Sequence, residues 1–68
     1  MKISEIKVGQ TLVPTKDVDK TYPRLITKPG PWGFEFQRVR GDGVTGAKLM
    51  CGNPAMRAWI KRHDPKVE

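Results

Sequence analysis

The alternation of apolar and polar positions changes period twice along this chain. From Met1 to Val13 the apolar points are Ile3, Ile6 and Val8, followed by the pair Leu12-Val13. Ser4 suits the cap of a single helical turn through Ile6, because its hydroxyl can accept from a free N–H of the first turn. Gly9 fits a chain reversal, and Thr11-Leu12-Val13 is a short β-favourable run stopped by Pro14. Thr15 to Thr21, with Lys16, Asp17, Asp19 and Lys20, is polar, carries both signs of charge and predicts a loop. Tyr22 to Thr27 is a second strand candidate. Pro23 demotes its start to an edge or a bulge, because proline has no N–H for a ladder. Lys28-Pro29-Gly30-Pro31 is a break in the pattern.

Trp32 to Arg40 holds both phenylalanines and one of the two tryptophans, and reads as the central strand. Phe34 and Phe36 share one face, with Glu35 and Gln37 on the other. Strict alternation would carry Arg38 onto the buried face and leave Val39 outside. A bulge near Gln37 or Arg38 would instead return Val39 to the core and turn Arg38 and Arg40 towards solvent. Gly41 to Gly46 is a glycine-rich connection, and Ala47 to Cys51 returns as the next strand of a hairpin. After Gly52 the period becomes helical. Asn53 is a favoured N-cap, Pro54 suits the first helical position, and Met56, Trp59 and Ile60 form one apolar stripe. The helix is predicted over 54–62, and Asp64-Pro65 stops it. Residues 1–65 read as a single small domain, with 66–68 a frayed tail.

The opening (one helical turn, Val8-Gly9-Gln10, then a strand at Thr11–Val13) resembles the entry into SH3-like small barrels, with Thr15 to Thr21 in the place of their long first loop. The resemblance implies a mainly β fold: a small SH3-like barrel of about five short strands with one short C-terminal helix.

Size sharpens this picture. A chain of 68 residues buries only about 60% of the surface its unfolded form exposes, so such domains usually need a staple. Cys51 and His63 are the only cysteine and histidine. Neither an intrachain disulfide nor a four-ligand zinc site can be built from them. Packing or homo-oligomerisation must serve, and no metal or cofactor is expected. The lone cysteine suits a reducing, cytoplasmic setting. No apolar run is long enough to span a bilayer, and no signal-peptide core follows Met1.

Several short motifs fail on context. Gly41-Asp42-Gly43-Val44-Thr45-Gly46 matches G-x-G-x-x-G, but only Ala47 to Cys51 separates it from Gly52-Asn53-Pro54. That leaves no room for the crossover helix that holds a dinucleotide pyrophosphate. Asp17-Val18-Asp19 begins like a calcium loop, yet Lys28 stands where a bidentate glutamate is required. Arg40-Gly41-Asp42 is more simply a hairpin entry than an adhesion tripeptide. Cys51 has no motif tying it to the only imidazole, so it reads as a small core residue and not a nucleophile. With neither paired carboxylates nor a Ser-His pair, the chain is not expected to be an enzyme.

Charge is the remaining signal. Thirteen Lys and Arg against seven Asp and Glu give a net +6, enough to attract polyanions. The excess concentrates between residues 34 and 62, with six basic and two acidic side chains. Trp32, Arg38, Arg40, Lys48, Arg57, Lys61 and Arg62 are the candidate nucleic-acid-binding residues. The cations would hold phosphates, and Trp32 or Tyr22 would stack on bases. No RNP box, zinc finger or helix-turn-helix is present to read sequence, so DNA and RNA stand equally as partners. The competing expectation is a protein-interaction module or inhibitor, binding an acidic or peptide partner through an exposed tryptophan. In its brevity it is similar to bacteriophage or mobile-element accessory proteins. If Trp32 and Trp59 both lie in the core, the cations are only a solvated face; Trp59 in particular is expected there.

Overall fold

The computed structural model describes the backbone of residues 1–68 and the side chains of all but Lys20. Five strands, β1 (Thr11–Val13), β2 (Arg24–Pro29), β3 (Gly33–Val39), β4 (Thr45–Gly52) and β5 (Lys66–Val67), form one antiparallel sheet in the order β4-β3-β2-β1-β5. One helix, α1 (Asn53–His63), follows β4 without a loop, and two 3₁₀ turns cover Ile3–Glu5 and Val18–Lys20. The architecture is therefore mainly β with one C-terminal helix. The sheet does not close: β4 and β5 are free edges, so the barrel expected from the opening residues is not formed. Helix α1 instead covers the face that a barrel would turn inwards.

That face carries the core. Ile6, Leu12, Ile26, Phe34 and Phe36 meet Met56, Trp59 and Ile60, the stripe expected of the helix. Phe36 pairs with Ile26 on one side and Leu49 on the other, so the centre of the sheet is apolar across three strands. Gly33, at the start of β3, is paired with Gly52. A Cβ there would overlap the Cys51 carbonyl and come within 2.9 Å of the Gly52 Cα. Glycine lets the two strands approach at this point.

Local details correct the sequence expectations. Ser4 is not a cap; the first turn is closed by Glu5, whose Oε1 accepts the Lys2 N–H at 2.9 Å. Gly52, not Asn53, is the N-cap of α1, because the Asn53 amide donates across to the Pro31 carbonyl at 3.1 Å. The helix runs one residue further than expected, to His63, and ends at Asp64 in a left-handed conformation (φ 42°) whose N–H returns to Ile60. Strand β2 begins at Arg24 and continues through Pro29, so the break narrows to a two-residue turn, Pro31-Trp32, between Gly30 and Gly33. The 66–68 segment is not frayed. It pairs with β1, with Glu68 and Thr11 exchanging backbone bonds of 2.9 and 3.2 Å. The free N–H and C=O groups of the β1 edge account for its capture.

The irregularity expected near Gln37 is present, but its extra residue lies in β4. Gln37 pairs with Lys48 and Val39 with Thr45. Strand β3 keeps its alternation, and Arg38 stays on the Phe34–Phe36 side, opposite Arg24 of β2. Arg38 is nevertheless exposed, because the sheet continues past the end of the helical cover.

Candidate functional site

Where β2 and β3 run out from under α1, their core-facing side changes from apolar to cationic. Leu12, Arg24 and Arg38 follow one another across β1, β2 and β3. Arg24 is only half-buried, and its guanidinium lies between two rings, 4.2 Å from the Phe36 centroid and 4.4 Å from that of Trp59. The cation thus contacts two π-systems, each contact worth roughly 0.5–2 kcal/mol. Its Nη1 reaches only soft acceptors, Cys51 Sγ at 3.8 Å and Met56 Sδ at 4.0 Å. Burial pulls the Arg24 guanidinium down from its ordinary value; Cys51 opposes this and Arg38 adds to it. Burial likewise pushes the Cys51 thiol up, against the pull of Arg24.

Trp59, 8% exposed, walls this region, with its indole N–H donating to Thr21 Oγ1 at 3.2 Å. His63, 5% exposed, lies beside it with ring centroids 5.2 Å apart. Its Nδ1 is 2.9 Å from the Lys16 carbonyl, which can only accept, so Nδ1 carries a proton. Thr21, Tyr22, Arg24, Arg38, Trp59 and His63 line a cleft of ≈ 270 Å³. Tyr22 and Arg38 also belong to an adjoining cleft of ≈ 340 Å³, lined further by Arg40, Gly46, Ala47 and Leu49. No carboxylate lines either one.

The other flank of α1 is basic as well. Lys2, Lys16, Arg57 and Lys61 border a groove of ≈ 580 Å³ with Met1, Ile3 and Ile60, and Asp64 is its one acid. Arg62 is drawn away to Asp17, at 3.1 Å, in a pair exposed on both sides. Such a pair contributes little to stability. It is the only ion pair among the described side chains.

The seven candidates from the sequence therefore fall into separate places. Arg38 and Arg40 share a cleft; Arg57 and Lys61 share the groove on the other flank; Arg62 is paired. Lys48 opposes Gln37 on the sheet face away from the helix. Trp32, 86% exposed, stands at the β2–β3 turn with Met50, 74% exposed, as its apolar neighbour. Six residues of extended chain separate Trp32 from Arg38, about 20 Å. One surface does not hold them all.

Sequence reasoning missed Arg24, Lys2 and Lys16. A signal for Arg24 existed: counting back by two from Ile26, and on by two from Phe36, places Arg24 and Arg38 on the core side. Lys2 and Lys16 meet Arg57 and Lys61 only because the 3₁₀ turn and the first long loop fold against the helix, the loop through Thr15 and Lys16 N–H groups donating to the His63 carbonyl. Among the described residues no group of acidic, histidine or cysteine side chains is arranged to hold a metal, and no helix is long and apolar enough to cross a membrane. No protein-family model, curated protein or solved structure matches the chain.

Proposed function

We propose that this chain is a small non-catalytic nucleic-acid-binding protein that works by neutralising phosphates, with little reading of base sequence. The observation that carries the reading is the unneutralised charge on both flanks of α1. Lys2, Lys16, Arg57 and Lys61 face one Asp64, Arg24, Arg38 and Arg40 face no carboxylate, and among the described side chains only Arg62 has an acidic partner. Cations gathered in grooves and left without counter-charges favour an external polyanion. Tyr22, half exposed at the rim of the arginine cleft, replaces Trp32 as the aromatic placed to stack on a base. The entry turn before β1, and the return of β5 to its side, support an opened relative of the SH3-like barrel as the scaffold. A cytoplasmic setting, which the single cysteine suits, would bring such a protein to its ligand.

The test is binding of short single- and double-stranded oligonucleotides across a salt series, read by anisotropy. If four phosphates are neutralised, affinity should fall about 10²-fold between 50 and 200 mM salt. Lys61→Glu and Arg57→Glu should weaken it further. Binding that ignores salt, or no binding at low salt by folded protein, would sink this reading.

A second reading has its own observation. Trp32 and Met50 form an exposed apolar pair on a turn whose backbone is pinned, with the Asn53 N–H donating to the Trp32 carbonyl at 3.0 Å. A pinned turn presenting a tryptophan suits the anchoring of a protein partner. In that case Trp32→Ala, not Lys61→Glu, would abolish capture, and salt would have little effect.

A further inference from the structure

We propose that the arginine cleft beside Trp59 is a receptor for a phosphate monoester at the end of a nucleic-acid strand. This rests on the nucleic-acid reading above and names the part of the ligand that this site takes. Three features carry it.

The first is unmet hydrogen-bonding capacity. A guanidinium has five N–H donors in a planar fork. Arg24 lies against both Phe36 and Trp59, its Cζ 4.2 and 4.4 Å from the ring centroids, and neither ring offers its donors an oxygen. Only Nη1 has acceptors within reach, and both are sulfurs at 3.8 Å or more. The rings hold the guanidinium in place and sulfur satisfies it poorly. Phosphate oxygens are the acceptors that match it, two parallel N–H···O bonds at a time.

The second is the charge of the site. Arg24 and Arg38 are cross-strand partners, two cations placed opposite each other with no carboxylate lining the cleft. Like charges so arranged are destabilising when the site is empty. A phosphate monoester carries about −1.5 to −2 at neutral pH, against a single charge on an internal diester. Two arginines are matched by the monoester.

The third is shape. Trp59 and His63 are both buried and form the inner wall, while the shared residues Tyr22 and Arg38 lead outwards to Arg40. An internal phosphate needs a path for the strand on both sides. A terminal one needs only one, and the adjoining cleft offers such a path, with an aromatic ring for the last base and a further arginine for the next phosphate.

The experiment compares labelled oligonucleotides of one sequence with a 5′-phosphate, a 3′-phosphate, or hydroxyls at both ends, at one fixed low salt. A phosphopeptide of matched charge serves as a fourth ligand. One phosphorylated end should bind about tenfold or more tightly than the hydroxyl-ended strand, and which end it is identifies the polarity of the site. Arg38 is exposed, so Arg38→Gln should leave the fold intact, as a melting curve can verify, and reduce that advantage towards unity. Lys61→Gln, on the opposite flank, should weaken all three oligonucleotides alike and preserve the advantage. Equal affinity for all three ends would overturn the proposal and leave the broader reading standing. Failure of every oligonucleotide to bind would overturn both. A phosphopeptide that binds as tightly as the best strand, with hydroxyl-ended strands inert, would overturn the assignment to nucleic acid.

Discussion

Trp59 and Trp32 have the same side chain and opposite surroundings. Trp59 is covered by the sheet, stacked on Arg24 and tied through its N–H to Thr21, 8% exposed. Trp32 occupies a two-residue turn whose backbone is fastened by Gly30, Gly33 and Asn53, while its indole is 86% exposed. One is held by its ring and the other only by its backbone. The difference teaches that an aromatic-rich stretch is not a unit of function. Each ring contributes according to what the chain lays over it: Trp59 lies in the core between helix and sheet, and nothing covers the ring of Trp32 at the turn.

The sharpest way to break this comparison is to remove each indole in turn. Trp59→Ala should cost about 3–5 kcal/mol, enough to unfold much of so small a domain, whereas Trp32→Ala should change stability by less than about 0.5 kcal/mol. Urea titration followed by far-ultraviolet circular dichroism measures both. Similar losses for the two variants would mean that the turn is packed in solution. Next in size is Gly33→Ala, beside Trp32, where the added methyl meets the backbone of β4. A loss of about 1–3 kcal/mol is expected, showing that the Trp32 end is rigid although its ring is free. A neutral substitution would show that β3 and β4 separate there.

Thr21→Val retains shape but takes away the acceptor of the Trp59 N–H. It should cost about 1 kcal/mol and shift the emission of Trp59, read in a Trp32→Phe background. The smallest effect concerns pH. Burial raises the Cys51 thiol above its unfolded value despite Arg24. As pH rises through the ordinary thiol range the unfolded chain ionises first, so this contribution is intact at neutral pH and stability falls above that range. Cys51→Ser should remove that part of the alkaline decline. In the same range the native thiol should alkylate more slowly than the thiol in urea; equal rates would place Cys51 in open solvent.

Much of the fold was legible because it rests on local patterns. The period-2 run around Phe34 and Phe36, the helical stripe of Met56, Trp59 and Ile60, and the Asn53-Pro54 start each marked an element within a residue or two of its observed position. The candidate site was legible only in part. Arg38 and Arg40 do share a cleft and Arg57 and Lys61 do share a groove, but Trp32 and Lys48 lie elsewhere. Their separation follows from strand length and register, and neither is written in the neighbourhood of any one residue.

By itself, then, the sequence determined the kinds of element, their order and the excess of positive charge, because propensity, capping and periodicity act over a few residues. Tertiary structure decided that the sheet stays open, that residues 66–67 become an edge strand, and that Arg24 is clamped between Phe36 and Trp59. These depend on contacts between segments far apart along the chain. Such contacts form only when the long-range pairing outweighs the chain entropy lost in closing the intervening loop.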